Sequence, residues 1–274
     1  MNNRQSVVRK VLLSVSSIFT VIAIMVATSV TMDRAENVEQ SVLKDIRIAT
    51  QTASSGIHEF FRERSRVVTS LQANTFVNDW FDGYRERGSD IDDDPKYQQI
   101  VALFKAESAQ DPMIKSVFYA PAATHEYFDI NGRYNDDNYF TSKRPWWGEA
   151  LEKNRLFITN PEIDANDKSI VTSIKTTVYN TAGALLGVMG IDILASEIKS
   201  GLIEKMKFQG LGNGFLFTSD GQIISFPDKQ NRIDMSKLPK LNAIDGLFPN
   251  ATGFADLLRA SQSQNEILTK VTFN

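Results

Sequence analysis

The sequence predicts an α+β chain with one membrane-spanning helix, a long N-terminal helix and two tandem antiparallel-sheet modules. Three observations carry this. Val11–Met32 holds no charged residue. From Asp33 to about Trp80 there is no proline, and apolar residues recur at three- and four-residue steps. Beyond that, short alternating segments are punctuated by turn residues and by proline.

The uncharged run is long enough for a hydrocarbon core, which takes about 20 apolar residues. Arg4, Arg9 and Lys10 precede it without an acidic residue, so residues 1–10 are expected in the cytoplasm, 11–32 in the bilayer and the chain beyond residue 32 outside. The run is too long for a signal-peptide core and no A-x-A site comes after it. Over residues 33–80, Val38, Val42, Ile46, Ala49, Ala53, Ile57, Phe60, Val67 and Leu71 form the stripe of one amphipathic helix. That stripe must be covered by the following domain or by the same helix of a second copy, so a homodimer is expected.

Residues 81–206 read as the first module. Gly83, Gly88 and the acidic run Asp90–Asp94 form a loop whose carboxylates lack the spacing and the glycine of a calcium loop. Pro95 opens a helix that buries Tyr97, Ile100, Val101 and Phe104 and stops before Asp111-Pro112. Strands are expected over Ile114–Ala120, Glu126–Ile130, Ile170–Tyr179 and Ala184–Ile193, with turns at Asn131-Gly132 and Asn180–Gly183. Pro145 opens a short helix to Asn154, and a helix over Leu194–Met206 leads out. Residues 207–274 read as a smaller, incomplete module: Gly210, Gly212 and Gly214 give backbone freedom at a junction, then Phe215–Thr218 and Gln222–Phe226 flank the turn Asp220-Gly221. The chain stops within a predicted strand, Ile267–Phe273.

Composition excludes several classes. A net charge of −3 and the lack of a basic stripe argue against nucleic acid. There is no cysteine, hence neither a disulfide framework nor a thiol nucleophile. His58 and His125 are the only histidines, and each stands before a glutamate in a failed zinc signature, with Arg62 and Asp129 where the second histidine belongs. No G-x-S-x-G elbow or phosphate loop is present. Neither catalysis nor a cofactor is expected.

The chemistry concentrates between Tyr139 and Asp192. A guanidinium at Arg144, large rings at Tyr139, Trp146 and Trp147, and a carboxylate at Asp192 offer a small zwitterion a partner for each charge. Arg144 is held extended by Pro145, just before a helix N-terminus that also favours anions; its plainer reading is a surface pair with Glu149. Consecutive helical residues point about 100° apart, so one tryptophan of the pair is expected to be core. Asp192 ends an apolar strand and needs a partner, either a ligand ammonium or the amides of the helix near Leu194.

Taken in order, Tyr139…Arg144-Pro-Trp146-Trp147-Gly-Glu-Ala150, Gly187-Val-Met-Gly190-Ile-Asp192-Ile and Gly212-Asn-Gly214-Phe-Leu-Phe-Thr-Ser-Asp-Gly221-Gln-Ile-Ile-Ser-Phe-Pro227 resemble the double Cache sensor domain of bacterial chemoreceptors, sensor kinases and diguanylate cyclases. The resemblance covers Asp33 to the end. It implies two stacked PAS-like modules, with ligand in the membrane-distal one. Its amino-acid-binding members use a Tyr, an Arg, a Trp, a further Tyr and a later Asp, which fall here on Tyr139, Arg144, Trp146, Trp147 and Asp192. Trp147 departs from that pattern because an indole cannot accept a hydrogen bond as a phenol does. Glu162 stands where such members carry an aromatic, and with Asp164 nearby it makes an amine a second candidate ligand beside an amino acid. The expectation is an extracytoplasmic sensor, bilayer-anchored and dimeric; the rival is a tethered interaction module without a small ligand.

Overall fold

The computed structural model describes residues 37–38, 40–134, 136–205, 214–228, 232–248 and 250–263. The span expected over Val11–Met32, the glycines at 210 and 212 and the final predicted strand lie outside them. Among the described residues no helix is long and apolar enough to cross a membrane. The chain divides into two compact units, residues 1–53 and 54–274. In the first, residues 37–38 and 40–53 are helical, and Val38, Val42 and Ile48 are exposed.

Helix α1 spans residues 40–72, eight residues short of the expected end. Asn74 ends it. Its backbone leaves the helical region at φ −77°, ψ 102°, and its side chain accepts a hydrogen bond from the Val77 amide as the N-cap of α2, Thr75–Gly83. A local cap thus wins over a continuous stripe. The acidic run finds a structural use in the same way: Asp94 caps α3, Pro95–Ala109, accepting from the Lys96 amide, and also takes the Trp80 indole N–H at 2.7 Å.

The sheet runs β3-β2-β1-β7-β6-β4, with β5 also paired to β6. Its strands are β1 Ile114–Pro121, β2 Phe128–Asp129, β3 Gly132–Arg133, β4 Phe157–Ile158, β5 Glu162–Ile163, β6 Ile170–Tyr179 and β7 Leu185–Leu194. All pairs are antiparallel. The hairpin β6–β7 turns at Asn180–Gly183, where Gly183 takes φ +80°. The strand expected over Glu126–Ile130 shrinks to two residues, because the Asp129 carboxylate accepts from the Asn131 amide and turns the chain at once. The short β4 and β5 carry no alternation long enough to read from sequence.

Strand parity divides the sheet into two different faces. Val117 and Tyr119 of β1, Ile174 and Val178 of β6, and Met189, Ile191 and Ile193 of β7 join α1, α2 and α3 in one large core. Residues of the opposite parity face α4, Pro145–Lys153, which ends at Asn154 in the left-handed conformation. This second face is buried yet polar: Ser116, Ser173, Lys175 and Asp192 are each at most 5% exposed. A polar face shielded from bulk water marks a site rather than a surface.

After β7 comes α5, Ala195–Gly201, shorter than expected. Beyond it lie the hairpin β8 Leu216–Phe217 and β9 Ile223–Ser225, then α6 Ile244–Leu247 and α7 Phe254–Ser263. These gather a second apolar cluster around Ile223, Phe226, Leu241, Ile244 and Phe254. A buried Gln222 donates its amide to the Pro161 carbonyl at 2.9 Å, joining the β8–β9 turn to the segment just before β5.

Candidate functional site

On the polar face the register sets the floor of a cavity. Asp192 of β7 lies between Ser116 of β1 and Ser173 of β6, and Gly190 lies between Phe118 and Lys175. A Cβ on Gly190 would stand 2.3 Å from the Ile174 carbonyl oxygen and 3.0 Å from the Phe118 ring, so glycine keeps the floor low here. The cavity itself is small, about 40 Å³, and opens to solvent; with the open space at its mouth included the hollow comes to about 440 Å³. Tyr139, Arg144, Trp146, Glu162, Asp164 and Asp192 all line it.

Arg144 sits at the N-cap of α4 in the extended conformation its following proline requires, φ −88°, ψ 139°. Its guanidinium lies 5.7 Å from the Tyr139 ring centroid. The Nε is buried and without a hydrogen-bond partner. The surface pair with Glu149 does not form, for Glu149 pairs with Lys153. Tyr139 is held by edge-on contacts with Tyr127 and Tyr134, and burial pushes its phenol up to about 12.

Asp192 is interior to β7 rather than at its end, and α5 begins without a side-chain cap. Its carboxylate accepts from Ser173 Oγ at 2.5 Å and from the Tyr127 hydroxyl at 3.2 Å. Burial raises its pKa above the ordinary carboxylate range; Lys175 and the Ser173 hydrogen bond pull the other way, while Asp164 and Glu162 add to the rise. A folded pKa above the unfolded one means that ionised Asp192 burdens the fold increasingly as pH climbs from about 3.9 through the folded value. In the absence of ligand, Asp192→Asn is therefore expected to unfold at a higher temperature than the wild type at pH 7, the gap closing below about pH 4. Calorimetric melts across that range check this, and a variant less stable at neutral pH would contradict the desolvation account.

Trp146 and Trp147 part company. The first lines the cavity, with the Lys175 ammonium 4.6 Å from its ring centroid. The second does not line it: the helical rotation turns it toward Ala120, Phe157 and Val188 in the apolar cluster behind Trp146, edge-on to His125 at 5.2 Å. Of the pair, Trp147 is the one that packs in the core.

Glu162 and Asp164 reach the cavity from β5 and the loop after it, but neither is free. Lys175 Nζ donates to Glu162 Oε1 at 2.8 Å, and Lys115 Nζ donates to Asp164 Oδ2 at 2.7 Å while also holding Asp167 and Ser169. Sequence reasoning passed over Lys175, Ser173, Tyr127 and Phe118, which also line the cavity. The available signal was Lys175 itself, the one charge in the strand Ile170–Tyr179, two residues from Ser173 and so on the same face. Among the described residues no cluster of acidic, histidine or cysteine side chains could hold a metal ion.

Part of the sequence and the fold are similar to those of known proteins. Residues 90–200 match the family model described as methyl-accepting chemotaxis protein-like, first PDC sensor domain. The chain is 30% identical over 93 residues to methyl-accepting chemotaxis protein McpG of Pseudomonas putida, a match covering 34% of this chain and 14% of that protein. Its fold is similar to the ligand-binding domain of Campylobacter jejuni chemoreceptor Tlp3, in complex with 4-methylisoleucine, with a TM-score of 0.55 and 21% identity over 75% of this chain and 78% of that one. It is also similar to the ligand-binding domain of Pseudomonas fluorescens chemoreceptor CtaA, in complex with L-alanine, with a TM-score of 0.52 and 20% identity over 74% and 76% of the two chains. The resemblance to a double Cache sensor of a chemoreceptor is thereby borne out.

Proposed function

We propose that this chain is the extracytoplasmic sensing region of a bacterial chemotaxis receptor and that it binds a small amino acid in the cavity over β1, β6 and β7. One observation carries the reading: Arg144 and Asp192 line the same hollow, and among the described residues neither takes part in an ion pair. A ligand carboxylate meets the guanidinium and its unpartnered Nε; a ligand ammonium meets the buried carboxylate, flanked by the faces of Tyr139 and Trp146. Each half of a zwitterion answers a group that is otherwise costly to bury. The structural neighbours hold amino-acid ligands, which agrees with this assignment.

Residues 11–32 then anchor the chain in the inner membrane, residues 81–206 form the membrane-distal module, and 207–274 form part of a membrane-proximal one. The exposed Val38, Val42 and Ile48 favour pairing of the juxtamembrane helices in a homodimer. Ligand biases signalling only as far as it prefers one arrangement of those helices. The chemotaxis machinery itself lies in the remainder of such receptors, since the match spans only a small part of the curated relative.

Thermal unfolding of the intact chain against a library of amino acids and amines tests the assignment. At about 100 times its Kd a ligand adds about 2.7 kcal/mol of stability, a clear upward shift in Tm. Absence of a shift with every zwitterion would leave a membrane-tethered interaction module as the better account.

A further inference from the structure

The pocket wall contains three carboxylates, Glu162, Asp164 and Asp192, against one cation free to meet a ligand, Arg144. Counted by composition, such a wall should attract cationic ligands, and Glu162 with Asp164 would suit an amine. The side-chain geometry reverses that count. Lys175 projects from the middle of β6 into the same cavity, 3% exposed, with its ammonium 2.8 Å from Glu162 Oε1 and over the Trp146 ring at 4.6 Å. Lys115 reaches from β1 to Asp164 at 2.7 Å. Each of the two extra carboxylates is therefore already matched by a lysine of the chain itself. One cation and one anion remain for a ligand.

We propose that Lys175 sets the charge selectivity of the site: by holding the ammonium position beside Glu162 and Trp146, it restricts the ligand to an amino acid whose side chain carries no net positive charge. The inference rests on the zwitterion reading above and narrows it. With the ligand carboxylate on Arg144 and its ammonium on Asp192, the ligand side chain extends toward the remaining wall, where β5 and β6 stand. A second ammonium arriving there meets Lys175 rather than a vacant carboxylate. It is stripped of water beside a pair already neutralised and finds no counter-charge in return, whereas an apolar or hydroxylated side chain lies against the lysine stem and the Trp146 face at little cost. Lys115 acts one step further out, keeping Asp164 from serving as an alternative cation site.

The probes are L-lysine and L-norleucine, straight-chain amino acids with the same four side-chain carbons, of which L-lysine carries an ammonium on the last carbon in place of a hydrogen. Their affinities for the intact chain are compared by titration calorimetry. In the wild type, L-norleucine is expected to bind more tightly. Lys175→Met exposes Glu162 and is expected to move the affinity ratio toward L-lysine by at least about tenfold, equivalent to about 1.4 kcal/mol. Glu162→Gln leaves Lys175 uncompensated and is expected to move the ratio the other way, and the Lys175→Met/Glu162→Gln double variant to restore the wild-type order. Should Lys175→Met not fold, the direction of the Glu162→Gln shift decides. A ratio unchanged in the folded single variants overturns the role of Lys175 while leaving the amino-acid reading intact. A wild type that binds neither probe nor any other zwitterion overturns both.

Discussion

Replacing Arg144 by alanine is expected to weaken amino-acid binding by about 2–5 kcal/mol, the usual loss when one partner of a desolvated, hydrogen-bonded charge pair is truncated. In Kd this is roughly 30- to 4000-fold. The loss has two sources. The ligand carboxylate loses its fork of donors, and it remains in a hollow where water is a poor substitute because Tyr139 and Trp146 occupy the walls. Stability without ligand should hardly change, since Arg144 forms neither an ion pair nor a side-chain hydrogen bond among the described residues and its Nε is already unsatisfied. Titration calorimetry with denaturation of the empty variant separates the two quantities. An affinity within threefold of the wild type would remove Arg144 from the site.

Phe81→Ala should act in the opposite sense, costing about 3–5 kcal/mol of stability through lost burial and a residual cavity. Phe81 is 1% exposed, stacks on Tyr119 at 3.8 Å between ring centroids and meets Phe128 edge-on at 5.1 Å. It secures α2 to the apolar face of the sheet, the side away from the ligand. Urea unfolding should show a lower midpoint, and saturating amino acid should recover part of the loss by mass action. A destabilisation under about 1 kcal/mol would mean that α2 is not integral to the folded unit, contrary to its packing.

The sequence revealed those parts of the fold that short-range rules govern. Pro95 and Pro145 open helices where expected, and Asn180–Gly183 turns the long hairpin. The long helix was overextended because Asn74, an ordinary polar residue on an exposed stripe, acts only in context as a cap. Helix α7 went unread although Phe254, Leu257 and Leu258 carry a helical spacing, for it is a single short segment with no proline or glycine to mark its far end. In the site, Arg144 and Asp192 were legible because each is a charge in a place that demands a partner. Lys175 was not. Its importance depends on register, since only the pairing of β6 with β7 places it opposite Gly190, beside the floor that Phe118 closes. That one tryptophan of the Trp146–Trp147 pair is core followed from helical rotation, but which of the two depends on how α4 packs on the sheet, which the sequence does not show.

The bond from Gln222 to the Pro161 carbonyl has a mechanical meaning. Pro161 immediately precedes Glu162, so the anchor of the β8–β9 turn is one peptide link from a side chain in the cavity wall. Any displacement of that wall would therefore load a hydrogen bond whose other end sits next to the Ile223 cluster.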